Sequence, residues 1–478
     1  MFLGFSEGFH DAGVAVISGE GKIAFATHAE RFSRVKHDKH IGSSLRDYIE
    51  RGYNITHRAF YEKPLLKKTR QLYAGQYKTV FTPRQLAWKP DSTWHHHKSH
   101  AAAAFQTSNF DHAAAVVIDS IGEWDCTSIW ECFYDQKTGK VKYTKRYSEE
   151  YPTSLGLWYS ALTAYCGLRP LDEEYIFMGM AAYGKLNLQC RSAVNKLRFS
   201  NNHRGITSGV LDKFTHEDIA YNAQKCLEGR VSNFVNMAAN LVGTNNIVYG
   251  GGVALNCVAN AKLYEQFPDM WIMPNPGDAG GALGAACLAY GKKVTWAGPY
   301  LGRDISSHRH PRDIAEEVVD ELIANGICGV AHGRSEYGPR ALGNRSLLAD
   351  PRSDAMKDKV NEIKRRQKFR PFAPAIMTDF VDTYFDGPKS DYMQSVAYLN
   401  DTFEGDFPAI IHADGSSRVQ QVHPHSGTIL RRILERWLVR TGCPMLLNTS
   451  LNIRGEPMVD TIQHAAAFEQ MYGVKVIS

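Results

Sequence analysis

The chain has 478 residues, of which 44% are hydrophobic and 22% are charged, a composition typical of a globular protein with two or three domains. No apolar run is long enough to cross a bilayer, and the net charge of +5 permits an anionic partner without requiring one. The nine cysteines form no CxxC pair and the N-terminus has no basic leader, so we expect reduced thiols, a cytoplasmic location, and neither a signal peptide nor membrane association.

The first thirty residues are predicted to form three strands. The segments "MFLGF" and "VAVIS" flank the polar turn "GFHDAG", and a hairpin turn at Gly19 to Gly21 leads into "KIAFATHAE". A similar order recurs from "HAAAVVID" through "CTSIWECFY" to "VKYTKRYS". Two copies of this strand–acid–hairpin unit predict a duplicated α/β fold with a ligand between its halves.

The stretch "WHHHKSHAAAAF" is predicted to be helical and to present histidines on one face. His96 and His100 lie at i, i+4, whereas His97 and His100 lie at i, i+3, and either pair could bind one metal. A histidine cluster that binds nothing is the commoner outcome, so carboxylates must join the histidines. Asp119 ends a predicted strand and Asp278 lies in the glycine turn "NPGDAGG". Two histidines with two aspartates would suit iron or zinc.

Two successive strand–glycine–helix units follow, in "NNIVYGGGVALNC" and "MWIMPNPGDAGGALGAA". Such units are typical of α/β domains that bind nucleotides, although glycine turns also serve ordinary packing. The segment 298–312 is predicted to be a linker. A helix in "DIAEEVVDELIANG" and a strand in "ICGVAHG" then indicate a second domain that starts at about residue 305.

The second domain carries arginines in glycine- and proline-rich turns. They occur in "HGRSEYGPRALGNRSLLADPR" and "KRRQKFRPFAP", and a third stretch, "CPMLLNTSLNIRGEPMV", adds amide and hydroxyl groups. Arginines in such turns suit bidentate binding of phosphate groups. The alternative is a salt-bridged surface without a ligand.

At this point a resemblance to a known family is evident. The motifs "HDAGVAV", "HHHKSHAAAAF", "MGMAAYG", "GGGVALN", "NPGDAGGALGAA", "GRSEYGPRALGNRSLLADPR", "KFRPFAP" and "LLNTSLNIRGEP" occur in order between residue 2 and about residue 460. Together they resemble the O-carbamoyltransferase family of nodulation-factor and antibiotic biosynthesis. The resemblance implies an α/β fold: a duplicated actin/sugar-kinase-like (ASKHA) domain over 1–305 and a YrdC-like α/β domain over 306–478.

The resemblance also implies a two-step, ATP-dependent enzyme. The second domain would bind carbamoyl phosphate and ATP with Mg²⁺ and form carbamoyl-adenylate. The first domain would then transfer the carbamoyl group to an acceptor hydroxyl. The family's metal ligands fall on His96, His100, Asp119 and Asp278, with Fe(II) or another divalent transition metal expected.

Other family positions carry over residue by residue. His10 matches a catalytic histidine that acts on the acceptor or the carbamoyl group, and Lys36 matches a basic residue that reaches towards the donor site. The loop that cradles the adenylate in the first domain corresponds to Gly251, Gly252 and Asn256. The carbamoyl phosphate and ATP pocket of the second domain corresponds to Arg340, Lys364, Arg370, Arg418, Asn448 and Ser450.

One basic stretch, residues 57–90, gives an indication of the acceptor. It holds eight lysines and arginines against one acid, and five aromatic residues lie among the charges: Tyr61, Tyr73, Tyr77, Phe81 and Trp88. Such a stretch can bind a nucleic-acid backbone and stack a base, which would make a 5-hydroxymethyl pyrimidine, such as a modified cytosine in DNA or a nucleotide, the acceptor.

Two other functions stay open at this stage. The first is carbamoylation of a small sugar, antibiotic or other secondary-metabolite alcohol. The second is an ATP-driven binding module without transfer chemistry, which the fold alone would permit. The sequence does not define the oligomeric state, and an oligomer remains compatible with it.

Overall fold

The computed structural model describes residues 1–82, 85–200, 202–207, 209–306, 308–367, 370, 372–426 and 428–478. The chain forms two compact units. The N-terminal unit contains Met1–Ala29 and Lys39–Trp296, and the C-terminal unit contains Glu30–Asp38 and Ala297–Ser478.

The short segment Glu30–Asp38, with helix α1 (Glu30–Ser33), belongs to the C-terminal unit although it lies near the start of the chain. Arg34 accounts for this placement, because its guanidinium donates hydrogen bonds to the carbonyl oxygens of Pro457 and Met458 at 3.0 and 2.6 Å. The predicted domains, 1–305 and 306–478, did not include this exchange of a segment.

Two five-stranded sheets of the N-terminal unit share one topology. Their orders are β3–β2–β1–β4–β5 and β8–β7–β6–β9–β10, and in each the first three strands of the sequence form an antiparallel meander while the last two add in parallel. The structure thereby confirms the predicted duplication. The strands are β1 (Phe2–Ser6), β2 (Gly13–Ile17), β3 (Ile23–His28), β4 (His57–Phe60), β5 (Ser92–Thr93), β6 (His112–Ile118), β7 (Asp125–Asp135), β8 (Lys140–Glu150), β9 (Ile247–Gly250) and β10 (Trp271–Ile272).

Strand β6 lies at the centre of the second sheet. Its residues after His112 are all buried, and it pairs in parallel with β9 and antiparallel with β7. A strand covered on both faces needs a continuous apolar run, which the sequence "AAAVVI" supplies. Asp119 follows directly, at the point where the strand ends.

Within the described residues of this unit, ten α-helices pack around these sheets. Helix α9 is the longest: the Thr215 side chain caps its first turn, and Gly243 ends it in the left-handed conformation. The helices are α2 (Ser43–Gly52), α3 (Pro64–Tyr73), α4 (Tyr77–Phe81), α5 (His96–Gln106), α6 (Leu155–Tyr165), α7 (Glu174–Met180), α8 (Leu188–Leu197), α9 (His216–Val242), α10 (Cys257–Gln266) and α11 (Asp278–Tyr290).

The C-terminal unit is built on a six-stranded mixed sheet of order β19–β15–β20–β14–β12–β21, with a two-stranded sheet β11–β13 and a three-stranded sheet β16–β17–β18. The strands are β11 (Tyr300–Asp304), β12 (Ile327–Ala331), β13 (Arg334–Glu336), β14 (Arg345–Ala349), β15 (Ala373–Met377), β16 (Phe385–Asp386), β17 (Ala397–Leu399), β18 (Ser416–Ser417), β19 (Gln420–Val422), β20 (Met445–Ser450) and β21 (Val476–Ile477). The helices are α12 (Pro311–Asn325), α13 (Asp354–Ile363), α14 (Thr378–Tyr384), α15 (Ile429–Thr441) and α16 (Ile462–Tyr472).

Two predictions for this region have opposite outcomes. The predicted helix and strand after residue 310 are confirmed as α12 and β12, with proline at the first helical turn and Gly326 at the C-cap. The predicted linker at 298–312 is wrong over its first half, because β11 forms there and pairs with β13. Among the helices of the described residues, none combines the length and apolarity needed to cross a bilayer.

Candidate functional site

Four buried side chains of the N-terminal unit bring metal-ligand atoms to one point. His96 and His100 lie one turn apart on α5, Asp119 follows β6, and Asp278 begins α11. Their ligand atoms all lie within 4.8 Å of one another. His96 Nε2 is 2.9 Å from Asp119 Oδ2 and 3.3 Å from Asp278 Oδ1, and His100 Nε2 is 3.5 Å from each carboxylate. The structure therefore brings together all four predicted ligands.

The approach of α11 to α5 depends on small residues. A Cβ atom at Gly284 would lie only 1.8 Å from the carbonyl oxygen of Ser99, so no larger residue fits at this contact. The close packing of the two helices carries Asp278, at the first turn of α11, to the histidines. The run of glycines and alanines in α11 thus positions the Asp278 carboxylate as well as filling the core.

Glu123 holds the first turn of α5 and was missed by the sequence interpretation. Its carboxylate accepts hydrogen bonds from the backbone N–H of His96 at 3.0 Å and from that of Lys63 at 2.6 Å. An anion at this place satisfies a donor that the helix itself leaves unpaired and favours the helix dipole. No local sequence pattern indicates this capping interaction, because Glu123 lies 27 residues after His96 in the chain.

The electrostatics of the four side chains favour a cation among them. Burial opposes protonation of His96, but the charge of Asp278 and the hydrogen bond with Asp119 raise the pKa of His96 well above its ordinary value. Burial likewise opposes ionisation of Asp119, yet the hydrogen bonds with His100 and His96 hold the pKa of Asp119 well below its ordinary value. Two carboxylates that remain ionised in a buried place need positive charge beside them.

The neighbouring histidines do not join the set. His97 is fully buried, and its Nδ1 lies 2.7 Å from the Ser128 hydroxyl. Burial, followed by the charge of His96, lowers the pKa of His97 well below its ordinary value. His95 has a half-exposed side chain at the start of the helix. Of the two pairings that the spacing allowed, the structure selects His96 with His100.

His10 lies beside the ligand set. Its Nε2 is 4.0 Å from Asp278 Oδ2, and its Nδ1 is 2.9 Å from Asp11 Oδ2. Desolvation lowers the pKa of His10, but the hydrogen bond with Asp11 and the charge of Asp278 outweigh it and raise the pKa to about 9. The phenyl ring of the exposed Phe9 lies against the imidazole, with ring centroids 4.5 Å apart.

The predicted adenylate loop has one part that faces the ligand set and one that does not. Gly252 donates its N–H to Asp119 Oδ1 at 3.3 Å. Asn256 is buried; its side chain caps α10 by accepting from Ala259 N–H and exchanges two hydrogen bonds with the Gln224 amide. Asn256 therefore has a structural role in shaping the turn. The buried hydroxyl of Tyr249 has no hydrogen-bond partner within the described residues, which leaves a polar group for a ligand near Asp119.

Gly251 occupies a position that does not tolerate a larger residue. Its φ is +89°, and a Cβ atom there would lie 2.2 Å from the carbonyl oxygen of Ile118, the residue before Asp119. We expect Gly251→Ala to lower the free energy of unfolding by about 2–4 kcal/mol because it adds strain and a clash with backbone. Urea denaturation measures the loss. Gly19→Ala is the control, since nothing lies within 4 Å of that Cβ position; equal midpoints for the two variants would contradict the prediction.

In the C-terminal unit, Lys364 connects the predicted pocket residues. The buried ammonium donates to the carbonyl oxygens of Ser450 and Asn452 at 2.5 and 3.0 Å, and to the Ser450 hydroxyl and Asn452 Oδ1 at 3.1 and 3.0 Å. Burial and the charges of Arg366 and Arg370 lower the pKa of Lys364 well below its ordinary value. Lys364 thus shapes the loop that follows β20.

Asn448 forms the centre of the same cluster. Its Nδ2 donates to Gln420 Oε1 at 2.7 Å and to the carbonyl oxygen of Ala341 at 3.3 Å. This links β20 to Arg340, which precedes Ala341, and to Arg418, which lies two residues before Gln420. Asn448 Oδ1 and Arg418 Nε are buried without a hydrogen-bond partner among the described residues. Unpaired buried donors and acceptors in one cluster are consistent with a polar ligand.

Arg370 lies near Lys364, because its charge is among the causes that lower the pKa of Lys364. The carbonyl oxygen of Arg370 accepts a hydrogen bond from Asn361 Nδ2 at 3.3 Å. Among the predicted residues, Lys364 is thus bonded to Ser450, Asn448 is bonded to the residue after Arg340 and to Gln420, two residues after Arg418, and Arg370 lies near Lys364.

Two residues, Glu336 and Arg345, have structural roles in this cluster that the sequence did not predict. Glu336 Oε1 accepts backbone N–H groups of Leu342, Asn344 and Arg345, which fixes the turn after Arg340. The buried Arg345 guanidinium donates to five carbonyl oxygens, those of His332, Gly333, Asn344, Arg303 and Asp460. The sequence grouped Arg345 with phosphate-binding arginines, but these contacts give it a structural role.

Lys36 lies in the segment that the C-terminal unit takes from the N-terminal part of the chain. Its Nζ is 2.9 Å from both carboxylate oxygens of Glu30. The role expected from the family resemblance stays a prediction.

The basic stretch 57–90 divides into buried and exposed parts. Lys67 pairs with Glu62 at 2.7 Å in the interior, and the buried Arg70 donates to the Glu123 carbonyl oxygen. Tyr61 and Trp88 are also buried, so these four residues are not surface contacts. Lys89 is exposed, and the exposed side chains of α3 and α4 include Leu65, Lys68, Tyr73, Tyr77, Lys78 and Phe81. Arg84 lies outside the described residues.

Comparison with known proteins agrees with the two-unit organisation. Residues 42–287 match the profile of the family described as Carbamoyltransferase N-terminus, and residues 319–477 match that described as Carbamoyltransferase C-terminus. An uncharacterized protein of Synechocystis sp. is 31% identical over 97% of this chain and 93% of that protein. Nodulation protein NolNO of Sinorhizobium fredii is 29% identical over 95% of this chain and 76% of its own length.

Among solved structures, full-length HypF in the phosphate- and nucleotide-bound form aligns with 14% identity and a TM-score of 0.37 over 60% of this chain and 54% of that chain. The family assignment does not depend on that alignment, because the two matching profiles together span most of the chain. The chain belongs to the O-carbamoyltransferase family and is a carbamoyltransferase.

Proposed function

We propose that the protein is an ATP-dependent O-carbamoyltransferase that uses carbamoyl phosphate. Water hydrolyses carbamoyl phosphate to carbamate and phosphate, a carbamate oxygen attacks the α-phosphorus of ATP, and pyrophosphate leaves. The acceptor hydroxyl oxygen then attacks the carbamoyl carbon of carbamoyl-AMP, and AMP leaves. The observation that carries the proposal is the convergence of His96, His100, Asp119 and Asp278, which binding alone would not require.

The C-terminal cluster is proposed to form the adenylate. Carbamoyl phosphate and ATP with Mg²⁺ are polyanionic substrates, and Arg340, Arg370 and Arg418 lie in or beside the loops around Asn448. Fixed guanidinium groups bind phosphate oxygens in pairs and stabilise the charge that develops during adenylation. Lys364 holds the Ser450 loop in place for this step.

The N-terminal cluster is proposed to perform the transfer. His96, His100, Asp119 and Asp278 would hold Fe(II) or another divalent transition metal, which when bound would polarise the carbamoyl carbonyl. The donor set fits such an ion, because two buried carboxylates face two imidazoles. His10, beside Asp278, would exchange a proton with the acceptor hydroxyl. Gly251 and Gly252 would bring backbone close to the adenylate.

The proposed acceptor is a 5-hydroxymethyl pyrimidine in DNA or a nucleotide. Tyr73, Tyr77 and Phe81 are exposed aromatic side chains on α3 and α4, and Lys68 and Lys78 lie among them. Aromatic rings stack on bases and lysines attract phosphates, so this surface suits a nucleic acid or nucleotide. Its connection to the ligand set is short, because Glu123 binds both Lys63, just before α3, and His96.

A small alcohol is the second candidate, and a cavity favours it. A cavity of about 380 Å³ in the N-terminal unit is lined by Leu66, His95, Glu123, Trp124, Asp125, Lys145 and Glu150. Its polar walls and its place beside the first turn of α5 suit a sugar or a polyketide-type alcohol.

Nucleoside mass spectrometry separates the two acceptors. The protein is incubated with ATP, carbamoyl phosphate, Fe(II) and DNA that carries 5-hydroxymethyl pyrimidines, with plain DNA in parallel. We expect a carbamoylated nucleoside in the first sample only.

Lys68→Ala/Lys78→Ala should weaken DNA binding. It should also lower the slope of log binding constant against log salt concentration by about 1–2 units.

The control for this prediction is Lys137→Ala/Lys140→Ala, which removes two exposed charges, one from the turn between β7 and β8 and one from the first residue of β8. If both double variants bind DNA equally, the α3–α4 surface is not the binding site. If pyrophosphate is released with carbamoyl phosphate but no nucleoside is modified, small alcohols become the acceptors to screen.

A further inference from the structure

Helices α12 and α15 of the C-terminal unit are joined by a regular series of ion pairs. Arg440 Nη1 lies 3.0 Å from Asp320 Oδ1, and Arg436 Nε lies 3.0 Å from Glu316 Oε1. Each step is four residues on both helices, which shows that the two helices run parallel with a fixed register. The ion pairs do not continue into the next turn towards the N-terminus of the two helices.

The next step of the same register places two like charges together. Four residues before Glu316 is Arg312, and four residues before Arg436 is Arg432. Both arginines line one cavity of about 300 Å³, and both are exposed to solvent. Within the described part of the chain, neither guanidinium has an acidic partner.

Two of the nearby acids are already engaged. Glu435 also lines the cavity, but its carboxylate accepts from Arg431 Nε at 2.8 Å. Glu317 is paired with both Arg309 and Lys475. Two unpaired guanidinium groups on facing helices repel one another, and an anion between them removes the repulsion and accepts bidentate hydrogen bonds.

We propose that Arg312 and Arg432 form a second anion site, for a phosphoryl group. The cavity volume suits a small ligand, such as inorganic phosphate, pyrophosphate or the phosphate of a mononucleotide. Both arginines lie in the first turn of their helices, where the helix dipoles add positive potential. The site is distinct from the adenylate cluster, because none of that cluster's predicted residues lines the cavity, and it does not depend on the proposed function.

Calorimetric titration at fixed ionic strength tests the site. The full chain is titrated with pyrophosphate, with inorganic phosphate and with AMP, and the three arms show whether a free or an esterified phosphate is preferred. We expect R312Q/R432Q to raise the dissociation constant of the anion bound at this site about tenfold or more, because charge-assisted hydrogen bonds are lost. R440Q, which breaks an ion pair outside the cavity, should titrate as the unaltered chain does.

A double-mutant cycle tests the repulsion itself, without any anion. R312E should raise the thermal midpoint because the new carboxylate would complete the series by pairing with Arg432, and it should abolish phosphate binding at the site. R312E/R432E should lose that gain, since two like charges face each other again, and helix-dipole effects cancel in the cycle. Identical titrations for the unaltered chain and R312Q/R432Q, or no coupling in the cycle, would overturn the proposal.

Discussion

Replacing His100 or Asp119 by alanine is expected to abolish carbamoyl transfer while carbamoyl-phosphate-dependent release of pyrophosphate continues. Each change removes one of four ligand groups that lie within 4.8 Å of one another. The remaining three would hold the metal weakly, and the developing charge on the carbamoyl oxygen would lose its electrophile. We expect transfer to fall by about 1,000-fold or more, the usual effect of removing such stabilisation together with a metal ligand.

The measurement is the ratio of the two half-reactions in each variant, with metal content determined by mass spectrometry. His95→Ala is the matched control, because His95 is one residue from a ligand but has a half-exposed side chain that does not reach the set. Circular dichroism verifies that each variant is folded. The assignment of the four ligands is wrong if both half-reactions survive in His100→Ala, or if both are lost in a folded variant.

The second large effect concerns Arg345. Its side chain is fully buried, and its guanidinium donates to five carbonyl oxygens. Arg345→Met would remove the charged donor from all five carbonyl oxygens, of which those of Gly333 and Asn344 would keep backbone donors from Ile305 and His332. We expect the free energy of unfolding of the C-terminal unit to fall by about 3–5 kcal/mol.

Arg340→Met is the matched comparison, five residues earlier in the same motif. Arg340 is partly exposed and is proposed to bind substrate, so this variant should keep stability within about 1 kcal/mol. Pyrophosphate release should nevertheless fall about 100-fold, because a phosphate-binding cation is gone. Denaturant titration and the pyrophosphate assay report the two quantities. Equal stability of both variants would show that the carbonyl contacts of Arg345 contribute little.

Local sequence pattern predicted the elements of this fold well where one face or both faces are buried. The run "AAAVVI" in β6 and the two antiparallel meanders follow from hydrophobic order alone. The segment 298–312 was misinterpreted because β11 is short and pairs with β13, which lies about thirty residues further on. Gly302 of β11 packs closely against Ser335 of β13, because a Cβ atom at Gly302 would lie 2.1 Å from the Ser335 hydroxyl oxygen. A pairing of this kind leaves no local signal.

The candidate site shows the same limit more sharply. Spacing on α5 allowed two histidine pairs, and the tertiary position of Asp119 and Asp278 selects between them. The count of charges over 57–90 could not show that Lys67 forms a buried ion pair with Glu62 and is therefore not available on the surface. Glu123 also remained hidden, because a carboxylate that caps a distant helix has no neighbour in sequence to mark it.

The charge of the second-domain arginines illustrates a related difficulty. Arg340 and Arg345 belong to one glycine-rich motif and have the same chemistry, yet Arg345 is buried and structural, whereas Arg340 is partly exposed and is proposed to bind substrate. Burial and the number of carbonyl acceptors decide this, and both depend on contacts distant in sequence. Family resemblance supplied the pocket residues, whereas Glu336 and Gln420 emerged only from their hydrogen bonds.

Exchange of labelled pyrophosphate into ATP tests the central claim most directly, since it needs no acceptor. The intact chain is incubated with ATP, Mg²⁺, labelled pyrophosphate and carbamoyl phosphate. If carbamoyl-AMP forms reversibly, label appears in ATP only when carbamoyl phosphate is present, and Arg340→Met lowers the rate of exchange about 100-fold. Label that appears without carbamoyl phosphate, or cleavage of ATP to ADP and phosphate with no exchange, would contradict an enzyme that forms carbamoyl-adenylate.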